Sequence, residues 1–241
     1  MRTALVMGAS GDIGEAVCRR LAADGWSLYC HYYQHEEKVL NFVSDLQEAY
    51  PHQDFFMVSL DMLDNRKIPP FLQALFQVDG IVFASGYTKY GLLTEHTPED
   101  ISGLWKIHME TPLLLIKALQ EKLQRSQNSR IVFIGSVYGI AGSSMETVYS
   151  AVKGAQQSFV KAYGKEVATL GITVNCIAPG AVATQMNHSW TETEMNGLKQ
   201  DIPLGRLALT KEIAAAVSYL FSEDAQYTTG ITLPITGGWL Y

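Results

Sequence analysis

Three residues have the types and the spacing needed for proton transfer: Ser136, Tyr149 and Lys153. In a helix, side chains four positions apart lie on one face, one turn apart, so Tyr149 and Lys153 would be neighbours. An ammonium group beside a phenol favours the phenolate, since two charges about 4 Å apart interact by roughly 4 kcal/mol at an effective dielectric constant near 20. The pair therefore predicts a Tyr149 pKa lowered by ~2–3 units, suited to acid–base catalysis, with Ser136 holding the same oxygen.

These residues belong to an ordered set of motifs. The loop Gly8-Ala9-Ser10-Gly11-Asp12-Ile13-Gly14 follows an apolar run, Ser136 follows the apolar run 131–135, and residues 175–180 with Thr184 follow the segment that carries Tyr149. In this order and spacing, the motifs resemble the short-chain dehydrogenase/reductase family over essentially the whole chain, through Gly237-Gly238. The C-terminal third is most similar to 3-oxoacyl-[acyl-carrier-protein] reductases.

The resemblance implies a Rossmann-type fold, a doubly wound parallel sheet of about seven strands with helices on both faces. It also implies reduction of a ketone by hydride transfer, in which Tyr149 protonates the oxygen and Ser136 orients it. Lys153 would lower the Tyr149 pKa and bind the nicotinamide ribose. His108 stands where the family usually has an asparagine that holds a water on the proton-relay path; a relay role and a purely space-filling role both stay open.

The whole chain limits the remaining classes of function. Its 241 residues suit one α/β domain, expected over 1–241. The net charge of −6, without a run of Lys or Arg, argues against nucleic-acid binding. No segment approaches the ~18 consecutive apolar residues of a membrane span, and the glycine loop leaves no room for a signal peptide. Cys18, Cys30 and Cys176 are widely spaced, which favours a reducing, cytoplasmic environment over a disulfide framework or metal site.

Apolar runs alternate with helical patterns, which predicts a parallel sheet covered on both faces. Strands are expected at 3–7, 28–32, 55–60, 79–84, 131–135, 172–177 and 231–235. Helices are expected at 13–23, 38–50, 69–76, 98–123, 148–170 and 213–221, the fourth bent by Thr111-Pro112. Residues 185–203 fit neither pattern; we interpret them as a mobile lid over the site, with an irregular surface loop as the alternative.

The glycine loop predicts a pyrophosphate site, because glycines let the backbone approach the phosphates and the following helix adds a partial positive charge. The family pattern is Thr-Gly-x-x-x-Gly-x-Gly, and this chain has Met7 in place of Thr and Asp12 in place of the middle glycine. Asp12 with Glu15 resembles a capping box, the interpretation that we favour. A carboxylate there is expected to weaken dinucleotide binding. After the fourth strand, Phe83 replaces a polar residue that commonly ties neighbouring strands together.

Further cofactor contacts are implied by position in the family. Asp61 would meet the adenine ring, Gly86 would let the backbone pass the ribose, and Thr184 would contact the nicotinamide amide. A turn residue at Asp61 and a helix cap at Thr184 are the alternatives. The expected cofactor-binding residues are Gly8, Ser10, Gly11, Asp12, Ile13, Gly14, Tyr33, Asp61, Met62, Ala84, Ser85, Gly86, Tyr149, Lys153, Pro179, Gly180, Val182 and Thr184.

The choice of cofactor depends on the end of the second strand. An acid there would bind the ribose hydroxyl of NAD and repel the 2′-phosphate of NADP. The chain has His31-Tyr32-Tyr33-Gln34-His35 instead, and Tyr33, His35 or Lys38 could contact the phosphate. The sequence therefore favours NADP(H) over NAD(H), although Gly11 replaces a basic residue that NADP-dependent members often carry.

The most similar reductases act on β-keto thioesters, so the expected substrate is a 3-oxoacyl thioester, with acyl carrier protein as a potential partner. An acidic carrier needs basic docking groups. Two positions that are often basic in the relatives are Leu170 and Gln127 here, although Arg125 and Arg130 flank the second. The alternatives are a sugar or polyol dehydrogenase of the same family and a dinucleotide-binding regulatory protein with little turnover. A homotetramer, or a homodimer, is expected from the family.

Overall fold

The structure is a computed structural model that describes residues 2–126, 128–185 and 191–239. In these residues, seven strands form one parallel sheet in the order β3-β2-β1-β4-β5-β6-β7. The predicted seven-stranded Rossmann-type sheet is therefore confirmed. The strands are β1 (Thr3–Met7), β2 (Ser27–Tyr32), β3 (Phe55–Ser59), β4 (Gly80–Phe83), β5 (Ser129–Ile134), β6 (Ile172–Pro179) and β7 (Thr232–Ile235).

Helices connect successive strands and cover both faces of the sheet. They are α1 (Asp12–Ala23), α2 (Glu36–Ala49), α3 (Ile68–Gln73), α4 (Pro98–Trp105), α5 (Thr111–Arg125), α6 (Tyr138–Ala141), α7 (Thr147–Glu166), α8 (Glu192–Asp201) and α9 (Thr210–Phe221). Within the described ranges, no helix is both long and apolar enough to cross a membrane.

The two faces of the sheet carry separate apolar clusters, because successive side chains of a strand point to opposite sides. In β1, Ala4 and Val6 pack on the side of α1, α2 and α9, while Leu5 and Met7 pack on the side of α3, α5 and α7. Both faces are buried, so the central strands are almost continuously apolar, as expected for a parallel sheet with helices on each side. The carboxyl ends of the central strands meet at one edge, where ligands bind in open sheets of this type.

The long helix expected at 98–123 is interrupted instead of simply bent. A π-helical turn at Lys106–Glu110 separates α4 from α5. Pro112 has no N–H and its ring would clash with the carbonyl four residues earlier, that of His108, at a cost of about 3 kcal/mol in a regular helix. The extra residue of the π turn relieves this clash. It leaves the His108 carbonyl free for another donor, and Gln156 Nε2 donates to it at 2.8 Å.

The segment interpreted as a mobile lid, with an irregular surface loop as the alternative, contains a helix. Within the described part of 185–203, α8 begins after Thr191, whose hydroxyl accepts from the Glu194 N–H while Glu194 bonds back. The apolar pattern of the sequence did not predict this helix, because the residues that follow the capping box lack an apolar face. Residues 186–190 lie outside the described residues, and the predicted mobility of the lid remains a prediction.

Two close contacts between backbone segments shape the glycine loop. A Cβ atom on Gly14 would lie 2.0 Å from the Gly8 carbonyl oxygen, and one on Gly8 would lie 2.5 Å from the Ser85 nitrogen. Gly8 also has a φ of 82°, in the left-handed region that favours glycine. The loop after β1 can therefore pass directly against the start of α1 and the segment after β4 only because both positions lack side chains.

Candidate active site

The reacting groups predicted from sequence come together at the carboxyl end of β5. Ser136 follows this strand, and Tyr149 and Lys153 project from the first two turns of α7. This helix packs on β6 and contacts β5 through Phe159 and Phe133. Tyr149 is in contact with the Ser136 hydroxyl, whose hydrogen bond favours the ionised phenol. The Lys153 Nζ atom lies 5.5 Å from the centre of the Tyr149 ring and donates to the Ile134 carbonyl at 2.7 Å. The geometry therefore assembles all three residues in one site.

The predicted pKa shift of Tyr149 is wrong in direction for this structure. Burial raises the pKa of the Tyr149 phenol well above its usual value, Ser136 lowers it, and the carboxylate of Glu146 and Tyr138 raise it further. Burial also lowers the pKa of Lys153, to about 8. Attraction between the two charges favours the phenolate, but burying either charge opposes it, and burial decides the direction here.

Cys176, on β6, lies close to Lys153. Burial raises the pKa of the Cys176 thiol to about 12, although Lys153 lowers it, so the thiol stays protonated.

His108 lies against Tyr149, with ring centres 5.5 Å apart in an edge-to-face arrangement. Its Nε2 atom lies 2.9 Å from the Tyr87 carbonyl, which can only accept, so the proton is assigned to Nε2. Burial, and then the positive charge of Lys153, lowers the pKa of His108 to about 3. The ring is therefore neutral, and its buried Nδ1 lone pair finds no hydrogen-bond donor among the described residues. A relay role for His108 remains a prediction.

Two buried glutamines support the site, and the sequence analysis missed both. Gln156 Nε2 donates to the His108 carbonyl at 2.8 Å, and Gln157 Nε2 donates to the Ser136 carbonyl at 3.0 Å. They lie three and four positions after Lys153, on the same face of α7. That spacing was a usable signal, because a polar pair on the face that carries reacting groups needs buried partners.

At the cofactor end, the predicted capping box of Asp12 and Glu15 is wrong. Gly11 is the N-cap of α1 without a side-chain cap, and Asp12 is the first helical residue. The Asp12 carboxylate instead accepts from Lys38 Nζ at 3.0 Å and from the backbone N–H of Gln185 at 2.7 Å. Asp12 thus joins the glycine loop to the segment after Thr184. Lys38, one of the predicted phosphate contacts, partly neutralises this acid.

His31, at the end of β2, has a structural role that the sequence did not indicate. Its Nδ1 atom accepts from the Gly8 N–H at 2.9 Å, and its Nε2 atom lies 3.0 Å from the Leu60 carbonyl. The ring therefore joins the glycine loop to the end of β3. Burial lowers the pKa of His31 to about 4, so the ring is neutral at pH 7.

The other predicted cofactor residues divide between the cleft and the core. Tyr33 is exposed beyond the end of β2, and the Ser85 hydroxyl is buried beside Gly8 with no partner among the described residues. Asp61 is a turn residue, since its carboxylate accepts from the Leu63 N–H at 3.0 Å. The Met62 side chain is packed in the core. Pro179 ends β6, and Gly180, Val182 and Thr184 follow this strand. The alternative of Thr184 as a helix cap involves residues 186–190, outside the described residues.

Asp12 and Thr184 line a cavity of about 470 Å³ between the glycine loop and α8. Its remaining lining residues are Ala183, Gln185, Met195, Lys199 and Leu207. Lys199 and Met195 come from α8, so this helix forms one wall of the space. An anionic group in the cavity would meet the α1 N-terminus and Lys199, which attract it, and the Asp12 carboxylate, which repels it.

Comparison with known proteins identifies the family. A family profile described as "Enoyl-(Acyl carrier protein) reductase" matches residues 8–240. The uncharacterized oxidoreductase YmfI of Bacillus subtilis (strain 168) is 36% identical over 240 residues, 99% of this chain and 98% of that protein. The 3-oxoacyl-[acyl-carrier-protein] reductase FabG of Escherichia coli (strain K12) is 32% identical over 246 residues, 98% of this chain and 96% of that protein. The chain belongs to the short-chain dehydrogenase/reductase family.

Two solved structures of this family's fold are similar to the chain. A blue fluorescent protein from a metagenomic library, in complex with NADPH, superposes with a TM-score of 0.90 at 28% identity. The match covers 99% of this chain and 97% of the chain of that protein. The angucycline C-6 ketoreductase LanV with bound NADP gives a TM-score of 0.92 at 23% identity, with 99% and 95% covered. The second likeness shows the fold alone.

We expect the folding stability to decrease as the pH falls below about 6.5, because unfolded His31 binds a proton there whereas the buried ring does so only near pH 4. Between about pH 6.5 and 5, this difference in proton binding at one histidine lowers the free energy of unfolding by about 2 kcal/mol. Urea unfolding at these two pH values should show a smaller pH dependence in His31→Gln. His52→Gln is the control, because this ring is exposed; an equal reduction in both variants would contradict the assignment.

We expect Asp12→Asn to bind NADPH about two- to fivefold more tightly, because it removes a negative charge beside the phosphate site and releases Lys38, while its amide oxygen can still accept from Gln185. A fluorescence titration measures the change. Asp45→Asn is the control, since it removes the same charge from an exposed ion pair with Arg19. Weaker binding by Asp12→Asn would show that the carboxylate is needed to shape the site.

Proposed function

We propose that this protein is a ketone reductase that uses NADP(H), with a 3-oxoacyl thioester as its first candidate substrate. The observation that carries the proposal is the convergence of Ser136, Tyr149 and Lys153 at the carboxyl end of β5. A hydroxyl, a phenol and an ammonium group gathered at one strand end form the donor set that an alkoxide developing in a closed pocket requires.

The residues present fit a dinucleotide. Glycine at position 8 lets the loop pack against the Ser85 backbone, where a Cβ would collide, and the buried Ser85 hydroxyl beside it lacks a described partner. The α1 N-terminus adds unsatisfied N–H groups for a pyrophosphate. When bound, NADPH supplies the hydride for carbonyl reduction. The absence of an acid at the end of β2, and the NADPH complex of the relative that is 28% identical, support NADP(H).

Each reacting residue has a specific task in this proposal. The high pKa of Tyr149 keeps the phenol protonated at neutral pH, so it donates its proton to the carbonyl oxygen in the direction of reduction. The Ser136 hydroxyl orients the same oxygen. Lys153 donates toward the β5 edge and supplies a positive charge near the developing anion. In the opposite direction, oxidation would require loss of the Tyr149 proton, which burial opposes.

The thioester is proposed because of the relatives, among them FabG of Escherichia coli at 32% identity. Attachment to acyl carrier protein has less support from the surface. Arg130 is buried and donates to the Ser129 and Ser222 carbonyls, so it cannot dock a partner. Leu170 provides no charge, and Gln127 lies outside the described residues. Arg125 is the remaining exposed basic group of the predicted set.

Tyr149→Phe should reduce NADPH-dependent reduction of an acetoacetyl thioester by about 10²–10⁴-fold, because the general acid is removed. NADPH affinity should stay within about twofold, since the change deletes only a hydroxyl. Stopped-flow absorbance of NADPH and a separate binding titration measure the two effects.

Tyr163→Phe is the matched control for that experiment. It makes the same change on the same helix, at a site away from the reacting groups. The Tyr163 hydroxyl donates to Gln120 Oε1 at 3.0 Å. Unchanged turnover in Tyr149→Phe would refute the proposed mechanism. Tight NADPH binding without turnover of any ketone by the wild-type protein would instead favour the regulatory alternative.

We also propose a homotetramer. The helices α4 and α5 expose the apolar side chains of Ile101, Trp105 and Leu114, which another copy of the chain would bury. Light scattering of the purified protein should give about four times the 26.6 kDa chain mass. A monomeric mass at micromolar concentration would contradict this proposal.

A further inference from the structure

The cavity of about 470 Å³ between the glycine loop and α8 has a cationic group on the wall opposite the α1 N-terminus. On one side, Asp12 is the first residue of α1, whose first turn offers backbone N–H groups. On the other side, Met195 and Lys199 project from α8. None of the three reacting residues lines this space, so the proposed proton transfer gives Lys199 no task.

The charge of Lys199 is not balanced by an acid of the chain. The side chain is half-buried, and no Asp or Glu within the described ranges forms an ion pair with it. Asp12, which lines the same cavity, pairs with Lys38 at 3.0 Å instead. Glu194, on the same helix as Lys199, bonds back to the Thr191 N–H at 2.8 Å. The ammonium group is therefore available to an anion that enters the cavity.

The turn of α8 that carries Lys199 is anchored to the C-terminal segment. Ile202, the C-cap residue of α8, is buried, and its Cγ2 atom would lie 3.0 Å from a Cβ on Gly237. The Leu204 N–H donates to the Gly237 carbonyl at 3.1 Å. Because the end of α8 is fixed in this way, Lys199 holds a defined position on the cavity wall.

The lining of the cavity indicates which part of a dinucleotide Lys199 would meet. The space is bounded by the start of α1 and by Thr184, the predicted contact of the nicotinamide amide. Its lining does not include Tyr33 or His35, the predicted neighbours of the 2′-phosphate. The group that joins the two halves of a dinucleotide is the pyrophosphate. This anion would meet the α1 N–H groups on one side and Lys199 on the other, which offsets repulsion from Asp12.

We propose that Lys199 binds the pyrophosphate of the nicotinamide cofactor, so that α1 and α8 hold the same anion from opposite sides. The inference rests on the proposed function, because it takes NADP(H) as the ligand, and it adds a contact from outside the glycine loop. Gly11 removes a basic residue from that loop and Asp12 adds an acid. Lys199 returns a positive charge to the phosphate site from another element.

Titration of the full-length protein with NADPH tests the proposal. We expect Lys199→Met to weaken binding by about three- to tenfold, because a partly exposed charge contact is lost. Lys199→Arg should stay within about twofold of the wild type, and Lys199→Glu should bind more weakly than Lys199→Met. Wild-type affinity should also fall more steeply with rising salt concentration than the affinity of Lys199→Met.

A control variant and a second cofactor locate the effect. Lys165→Met removes the same charge from an exposed position in the last turn of α7, at the end of the helix away from Tyr149, and should leave NADPH affinity unchanged. NADH lacks the 2′-phosphate but keeps the pyrophosphate. Competition with NADPH measures its affinity, which Lys199→Met should reduce by a similar factor.

The outcomes separate this inference from the proposed function. Unchanged NADPH affinity in Lys199→Met, even with a raised KM for a ketone, would overturn the role of Lys199 and leave the reductase intact. An equal loss in Lys165→Met would show an effect of net charge alone and would also overturn it. A loss for NADPH without a loss for NADH would place Lys199 at the 2′-phosphate and refute the pyrophosphate contact. Failure of the wild type to bind either cofactor would overturn both.

Discussion

The cofactor end of this protein depends on backbone segments that pass one another without side chains between them. Gly14 packs on the Gly8 carbonyl, and Gly8 packs on the start of the segment after β4. These contacts set where α1 begins relative to the carboxyl ends of β1 and β4, and therefore where N–H groups are available to an anion. His31 holds the same loop from the other side, by a bond to the Gly8 N–H. The cleft is thus built from the backbone, and its side chains adjust charge and access.

The departures from the family pattern have partners in the structure. Phe83, where a polar residue was expected, stacks on Phe133 with ring centres 4.7 Å apart, so packing replaces a hydrogen bond between β4 and β5. Met7 is buried in the core below the glycine loop. His108 occupies the π turn that Pro112 imposes, and Gln156 binds the carbonyl released there. Each change at a supporting position is matched by a contact from another element, while Ser136, Tyr149 and Lys153 stay together.

Periodicity predicted the sheet and most helices correctly, because both faces of the strands and one face of each helix must be apolar. The meeting of Tyr149 and Lys153 followed from helix geometry alone.

What failed concerned groups whose partners are distant in sequence. Asp12 looked like part of a local capping box, yet its partners are Lys38 and Gln185. The Tyr149 pKa was predicted from one neighbour, although burial decides its direction. The π turn was not predicted because it depends on the clash between the Pro112 ring and the carbonyl four residues earlier. Helix α8 was not predicted because its helix signal lies in its cap and not in apolar spacing.

The bond between Asp12 and the segment after Thr184 uses the backbone N–H of Gln185, a group that every residue except proline provides. Side chains at position 185 can therefore vary freely while the attachment persists, whereas substitution at position 12 abolishes or weakens it in one step. The sequence of α8 can therefore diverge, and with it the shape of the cavity beside this helix, while the Gln185 N–H keeps its bond to Asp12. One acidic residue in the glycine loop thus ties the segment after Thr184 to the start of α1.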